Sequence, residues 1–428
     1  MLKVLAMFVS FFPRPKLFFL SVLLWSAILV AVWFLGGDNW GGAIGLTPAA
    51  PDAPPIIGVP LFWSAPFLWF YLYFAAGVSI FYAVWARLAP HRWALWSILG
   101  SALILFTVYF QVEISVAVNA WYGPFYDLVQ NVLDKKQAAS PEQLYSQLLI
   151  FVWLALVGMN VSVLNAFFVS HWIFRWRMAM NDYYMEHWAL LRHIEGAAQR
   201  VQEDTMRFSQ IMEDLGVSFV QAIMTLIAFM PVLVGFEKHI VGLPVVGTIA
   251  HPLVLASLAW SVFGTVCLVV AGFKLPGLQF RNQRVEAAYR KELVYGEDDA
   301  ARASPPAVGD LFDNVRRNYF RLYFHYVYFN VVRYTYLQAN NAVAMFLMIP
   351  SIAAVSVTFG LINQIDYAFS QVSSSFQYLV TSWSTIVELT SVQKRLRAFE
   401  AAIHGERLPA IDERYLERRR DGDALPLG

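Results

Sequence analysis

The chain has 428 residues, of which 58 % are hydrophobic, 16 % aromatic and only 14 % charged, and its mean hydropathy is +0.51. A soluble protein of this length needs more charge to cover its surface, so the composition is that of an integral membrane protein. The net charge of +1 gives no sign of a nucleic-acid partner, and the single cysteine, Cys267, excludes both an intramolecular disulfide framework and a cysteine-rich metal site.

Lys3, Arg14 and Lys16 precede an apolar run at residues 17–35. That run is longer than a signal-peptide core and no small-x-small cleavage site follows it, so it reads as an uncleaved first transmembrane helix. Further runs able to cross about 30 Å of hydrocarbon lie at 62–88, 93–118, 148–173, 217–236 and 252–273. Two more, 319–358 and 359–389, are interrupted by polar residues, which brings the expected count to eight.

Lysine and arginine set the orientation. Residues 36–61 carry neither, 122–147 carry only Lys135 and Lys136, and 235–251 carry only Lys238. The alternate connections are basic: Arg87 and Arg92, then the stretches 175–207 and 274–321, then Lys394, Arg395 and Arg397. Both termini are therefore expected on the cytoplasmic side. Two inner segments of some forty residues keep a helical pattern, 181–203 with few breakers and 281–295 with none. Unstructured loops of that length are rare, so they read as helices running past the membrane. Ser304, Pro305 and Pro306 end the second of them.

The inner stretches carry acids: Glu195, Glu203, Asp204, Glu213, Asp214, Glu286, Glu292 and Glu297. On a continuous helix Glu286 and Glu297 fall within about 20° of one face and about 16 Å apart, whereas Glu292 points about 120° away and is expected to be solvated. Glu203 and Glu213 share a broad side, about 80° apart. Taken singly, each acid reads equally well as a solvated helix end with a partner such as Arg290 four residues after Glu286. As a set just inside the membrane they suit proton coupling. A glutamate desolvated for part of a cycle needs its pKa raised from ~4.3 to near 7, about 3.7 kcal/mol. Placing a charged acid at mid-membrane costs a similar ~2.5–3.5 kcal/mol, so burial alone supplies the shift.

Glu113 sits inside the third run and is a functional candidate by position, or else a structurally paired acid. Asp366 and Glu388 are weaker candidates of the same kind. The aromatic segment 119–126 reads as an interfacial belt with a turn. No G-x-x-x-x-G-K-[ST], H-E-x-x-H or G-x-S-x-G occurs, and no lysine follows a glycine. No ATPase, hydrolytic nucleophile or metal cluster is expected on this polypeptide.

The segments RNQRVEAAYRKELVYGEDDA, RHIEGAAQRVQEDTMRF, FFVSHWIFRWRMAMNDYY and RRNYFRLYFHYVYFN resemble the SbmA/BacA family of bacterial peptide transporters, and MFVSFFPRPKLFF and PHRWALWSILGSALI are similar too. The resemblance implies an all-α fold: an ABC-exporter-like core of six helices per chain without a nucleotide-binding domain, plus peripheral helices. It implies peripheral spans at 1–92, the core with its cytoplasmic extensions at 93–400 and a charged cytoplasmic tail at 401–428. It also implies a homodimer in the bacterial inner membrane that takes up varied peptides, antimicrobial peptides included, driven by protons. The family's glutamate ladder matches Glu203 in VQED, Glu213 in MED, Glu286 in RVEAA and Glu297 in YGED. The expected partners are peptides, protons and membrane lipid, with no cofactor and no ATP bound by this chain. The competing expectation is the membrane subunit of a lipid or very-long-chain fatty-acyl ABC system whose ATPase is a separate chain. A lipid-modifying enzyme has no constellation to support it.

Overall fold

The structure, a computed structural model, describes residues 8–47, 55–194, 197–244, 247–299 and 302–408. Lys3, Glu195 and the tail from 409 onward lie outside them. The described residues are almost wholly helical, and the one isolated strand-type bridge among them joins Leu243 and Gly247.

Among the described residues, six helices are long and apolar enough to cross a membrane. They contain α1 (Pro15–Phe34), α2 (Ala65–Leu88), α3 (Ser101–Leu133), α4 (Pro141–Glu186), α5 (Thr205–Phe236) and α6 (Pro252–Gly272). Beyond them come α7 (Leu275–Asp298), α8 (Pro305–Ala353), α9 (Phe359–Phe376) and α10 (Trp383–Ile403). The chain is an all-α membrane protein. The expected seventh and eighth spans are helical but fall outside the apolar six. The stretch expected as one span at 359–389 is broken at Gln377 and Ser382, with the single turn Tyr378–Thr381 between α9 and α10.

Local chemistry explains the ends. Ser140 Oγ accepts from the Gln143 amide (3.3 Å) while Gln143 Oε1 accepts from the Ser140 amide (3.1 Å), and this reciprocal box starts α4. Ser304 and two prolines start α8, and Thr358 Oγ1 caps α9 by accepting from the Leu361 amide (3.2 Å). The expected turn within 119–126 is absent: α3 runs through it to Leu133 with Pro124 inside. A proline there removes one donor, which a membrane helix tolerates where neighbours re-satisfy the freed backbone. At 46 residues α4 is about 69 Å long, over twice the hydrocarbon, so it reaches far beyond the membrane.

The chain divides into two compact units, Met1–Met224 with Glu388–Gly428, and Thr225–Val387. In the first, α3 packs along α4, and Trp121 Nε1 donates to the Gln147 carbonyl (2.8 Å). Its aromatic core gathers Phe8, Phe11, Phe12, Trp172, Trp176 and Phe208. Phe11 is fully buried and stacks on Trp176 with centroids 5.8 Å apart.

In the second unit α7 runs along α8, and α6 packs against α8 and α9. In the middle of the apolar helix α6, between the buried Leu253 and Leu268, Ser257, Ser261 and Gly264 are buried while Leu258, Val262, Phe263 and Val266 are exposed. Small residues face the protein because lipid is as apolar as leucine, so close backbone approach supplies the association. Tyr336 fills the resulting groove, stacking on Trp260 at 5.2 Å and accepting from Gln377 Nε2 at 2.6 Å. A Cβ at Gly264 would lie 2.0 Å from the Tyr336 ring.

Candidate functional site

In the first unit, α10 returns against the start of α5. A wide, π-helical turn, Arg200–Asp204, precedes α5. Asp204 is 1 % exposed and takes Arg395 Nη2 at 2.7 Å. Arg200 Nη1 donates to the Arg395 carbonyl (2.8 Å), and its guanidinium sits 5.8 Å from the Phe399 ring centroid. Burial raises the Asp204 carboxyl, against the lowering pull of Arg395 and Arg200. One turn on, Arg207 pairs with Glu388, an acid the sequence places near the inner interface. Glu400, buried in α10, accepts from the Tyr184 hydroxyl at 2.9 Å. Its burial raises the carboxyl, while that bond and the His404 and His187 charges lower it.

The expected ladder acids sit differently. Glu203 is exposed, accepts from Gln199 Nε2 (2.9 Å) and has Arg207 Nη1 at 3.7 Å. Glu213 lies ahead of the apolar part of α5 and is partly buried; that burial, with Asp214 beside it, pushes its carboxyl up to about 7. In the second unit α7 continues through Gly296 to Asp298, so Glu286 and Glu297 do lie on one helix, the first partly buried and the second exposed. Glu213, Glu286 and Glu297 make no hydrogen bond or ion pair among the described residues. Within each unit these acids stay apart along their helices rather than converging on one atom.

Glu292 corrects an expectation. It is 22 % exposed rather than solvated, accepting from Arg302 Nη2 at 2.9 Å and from the Ala303 amide at 3.1 Å. Residues 302–303 lie back beside α7, where Ala303 Cβ would lie 2.3 Å from a Cβ at Gly296. Glu113, inside α3, has Tyr109 as its hydrogen-bonding neighbour rather than a base on another helix. Asp366 lies in α9. Sequence reading missed the Asp204–Arg395 and Tyr184–Glu400 pairs; the second spans 216 residues, and the only hint is an acid inside the apolar rhythm of RAFEAAI. Among the described residues no group of three or more His, Cys, Asp or Glu could hold a metal ion.

Residues 90–404 match the family described as SbmA/BacA-like family. The chain is 23 % identical over 336 residues to the inner membrane ABC transporter ATP-binding protein YddA of Escherichia coli (strain K12), covering 71 % of this chain and 57 % of that one. It is 22 % identical to an ABC transporter ATP-binding protein of Synechocystis, covering 73 % of this chain and 47 % of that one. It is 25 % identical to ABC transporter D family member 2, chloroplastic, of Arabidopsis thaliana, covering 67 % and 40 %. The chain thus spans about half the length of the curated relatives it matches.

Proposed function

This chain belongs to the SbmA/BacA-like family, a multi-pass membrane transporter family, and on that footing we propose that it imports varied peptides across the bacterial inner membrane by alternating access driven by protons. In this reading two copies form the cavity, both termini are cytoplasmic, and Glu203, Glu213, Glu286 and Glu297 carry or relay protons, with Glu113 a further candidate. The observation that carries it is Glu213: a partly buried acid at the inner end of a membrane-crossing helix, with no cationic partner among the described residues, whose carboxyl burial pushes up to about 7. Such a group binds and releases protons at physiological pH at little cost. Each proton moving down a 100 mV potential contributes ~2.3 kcal/mol, so one or two suffice for useful accumulation.

The test is the purified chain in liposomes with an imposed pH gradient and a labelled peptide. Uptake is expected to follow the gradient, to collapse with a protonophore and to proceed without ATP. Glutamine at Glu203, Glu213, Glu286 or Glu297 is expected to lower it about a hundredfold or more, the scale of a lost proton-transfer group. The pH profile of uptake is expected to inflect near 7, and E213Q to remove that inflection. Wild-type uptake by all four variants would sink the ladder.

A second reading is favoured by the relatives' names. Membership of an ABC-type system, with ATP hydrolysed on a separate chain and a lipid or very-long-chain fatty-acyl cargo as the expectation from sequence, fits similarity to about half of proteins called ATP-binding. Transport that tracks ATP and ignores the proton gradient would decide for it.

A further inference from the structure

Within the second unit, the connection between α5 and α6 builds a small pocket. The turn Glu237–His239 closes α5, and the chain then crosses to α6 at Pro252. Two hydrogen bonds tie this connection to the end of α8. The Val241 amide donates to Ser351 Oγ (3.0 Å), and Ser356 Oγ donates to the His239 carbonyl (2.9 Å). Leu243 and Gly247 exchange backbone hydrogen bonds of 2.9 and 3.0 Å, narrowing the far side. The cavity left between these ties has a volume of about 250 Å³ and is lined by Glu237, Ile240, Val241, Ile249, His251 and Pro252 among others.

Its one acid is unusual. The Glu237 side chain is only 10 % exposed. Oε2 is 2.9 Å from His251 Nδ1, whereas Oε1 is buried and has no hydrogen-bond partner. A carboxylate oxygen out of water without a donor is costly, so a donor in the cavity toward which the carboxylate turned would relieve that cost. The walls dictate what kind. Aliphatic side chains and a proline ring suit a hydrocarbon stem, and the carboxylate selects a positively charged N–H group, with which it makes a strong charge-assisted bond. An anion would be repelled. Glu237 and His251 supply two donors, short of the four that zinc takes or the six to eight oxygens of calcium.

We propose that this pocket is a binding subsite for an alkylammonium or guanidinium group. The inference rests on the transport reading only for its purpose. The 235–251 connection carries Lys238 as its only lysine or arginine and is the expected outer one, where the subsite would take a basic residue of an arriving peptide. The same chemistry is offered by an aminolipid headgroup, and the experiment separates the two.

The full chain is placed in nanodiscs of phosphatidylglycerol alone, and amide hydrogen exchange is followed across residues 237–252. Argininamide is expected to slow exchange in this segment at least fivefold, and citrullinamide, its uncharged isostere, to leave it unchanged. E237Q should lose the effect and E237D should keep part of it, with unchanged protection of α6 as the sign that each variant is folded. In a second arm, nanodiscs containing phosphatidylethanolamine are examined without argininamide. Protection there that E237Q removes assigns the cation to lipid; protection by argininamide alone assigns it to a peptide side chain. Equal behaviour of argininamide and citrullinamide, or an undiminished response in E237Q, overturns the proposal and leaves a hydrated cavity only. The readout needs no transport. A chain that binds argininamide here yet imports no peptide would retire the transport reading and keep the site.

Discussion

The two units hold their helices together by different means. In the first, aromatic rings around Phe11 and Trp176 pack tightly, and charged pairs (Asp204–Arg395, Arg207–Glu388) fasten α10 to the start of α5. In the second, the contact at α6 is made by Ser257, Ser261 and Gly264, with Tyr336 seated in the space they leave. The difference follows from the solvent. Outside the membrane, where the sequence places Asp204, Arg207 and Arg395, water lets charged groups be partly hydrated as they pair. Inside it, burying a leucine gains little over lipid, and close packing of small residues with a few hydrogen bonds supplies the attraction.

The strongest test of that contrast is Asp204→Ala. It leaves Arg395 and Arg200 facing a buried gap, and removing one partner of such a pair is expected to cost about 3 kcal/mol, somewhat reduced because Arg395 is half-exposed. Thermal unfolding of the detergent-solubilised protein, with Asp204→Asn as the milder companion, measures it. A loss no larger than that of an exposed pair would show that the clamp does not hold the first unit.

Gly264→Ala probes the second unit. The added methyl meets the Tyr336 ring, an overpacking expected to cost about 2 kcal/mol, and Gly264→Ala combined with Tyr336→Phe should recover little because the ring itself remains. Full stability of Gly264→Ala would mean that close approach is not what joins α6 to α8.

The smallest effect concerns Glu400 and is read as a slope with pH. Its folded carboxyl is raised above the ordinary 4.5 by burial. The folded chain therefore holds that proton more tightly than the unfolded chain, and the stability it contributes is full below about pH 4.5 and lost as pH rises through the raised value. Glu400→Gln cannot ionise. Its melting temperature is expected to match wild type at acid pH and to exceed it at neutral pH, and parallel curves from pH 4 to 8 would contradict this.

The acids proposed to carry protons, Glu203 apart, are those the clamps leave alone. Glu213, Glu286 and Glu297 were legible in the sequence because helix periodicity and flanking prolines act over a few residues; α7 does run on through Gly296, and Pro305 does open a new helix. The interruption at Gln377 and Ser382 was not legible, since no proline or glycine marks it. Nor was the engagement of Glu292, which depends on Arg302 lying back beside its own helix.

The sequence by itself therefore determined the membrane setting and the six uninterrupted apolar helices, because composition and periodicity are local sums, and its quoted segments carried the family resemblance. Only the tertiary structure decided which acids are spoken for. Whether Asp204, Glu292 or Glu400 meets a donor, and whether one oxygen of Glu237 meets none, is settled by chain returns across ten to more than two hundred residues. The reason is range: an ion pair forms within about 4 Å, and nothing in the residues around an acid says which distant donor the fold will bring that close.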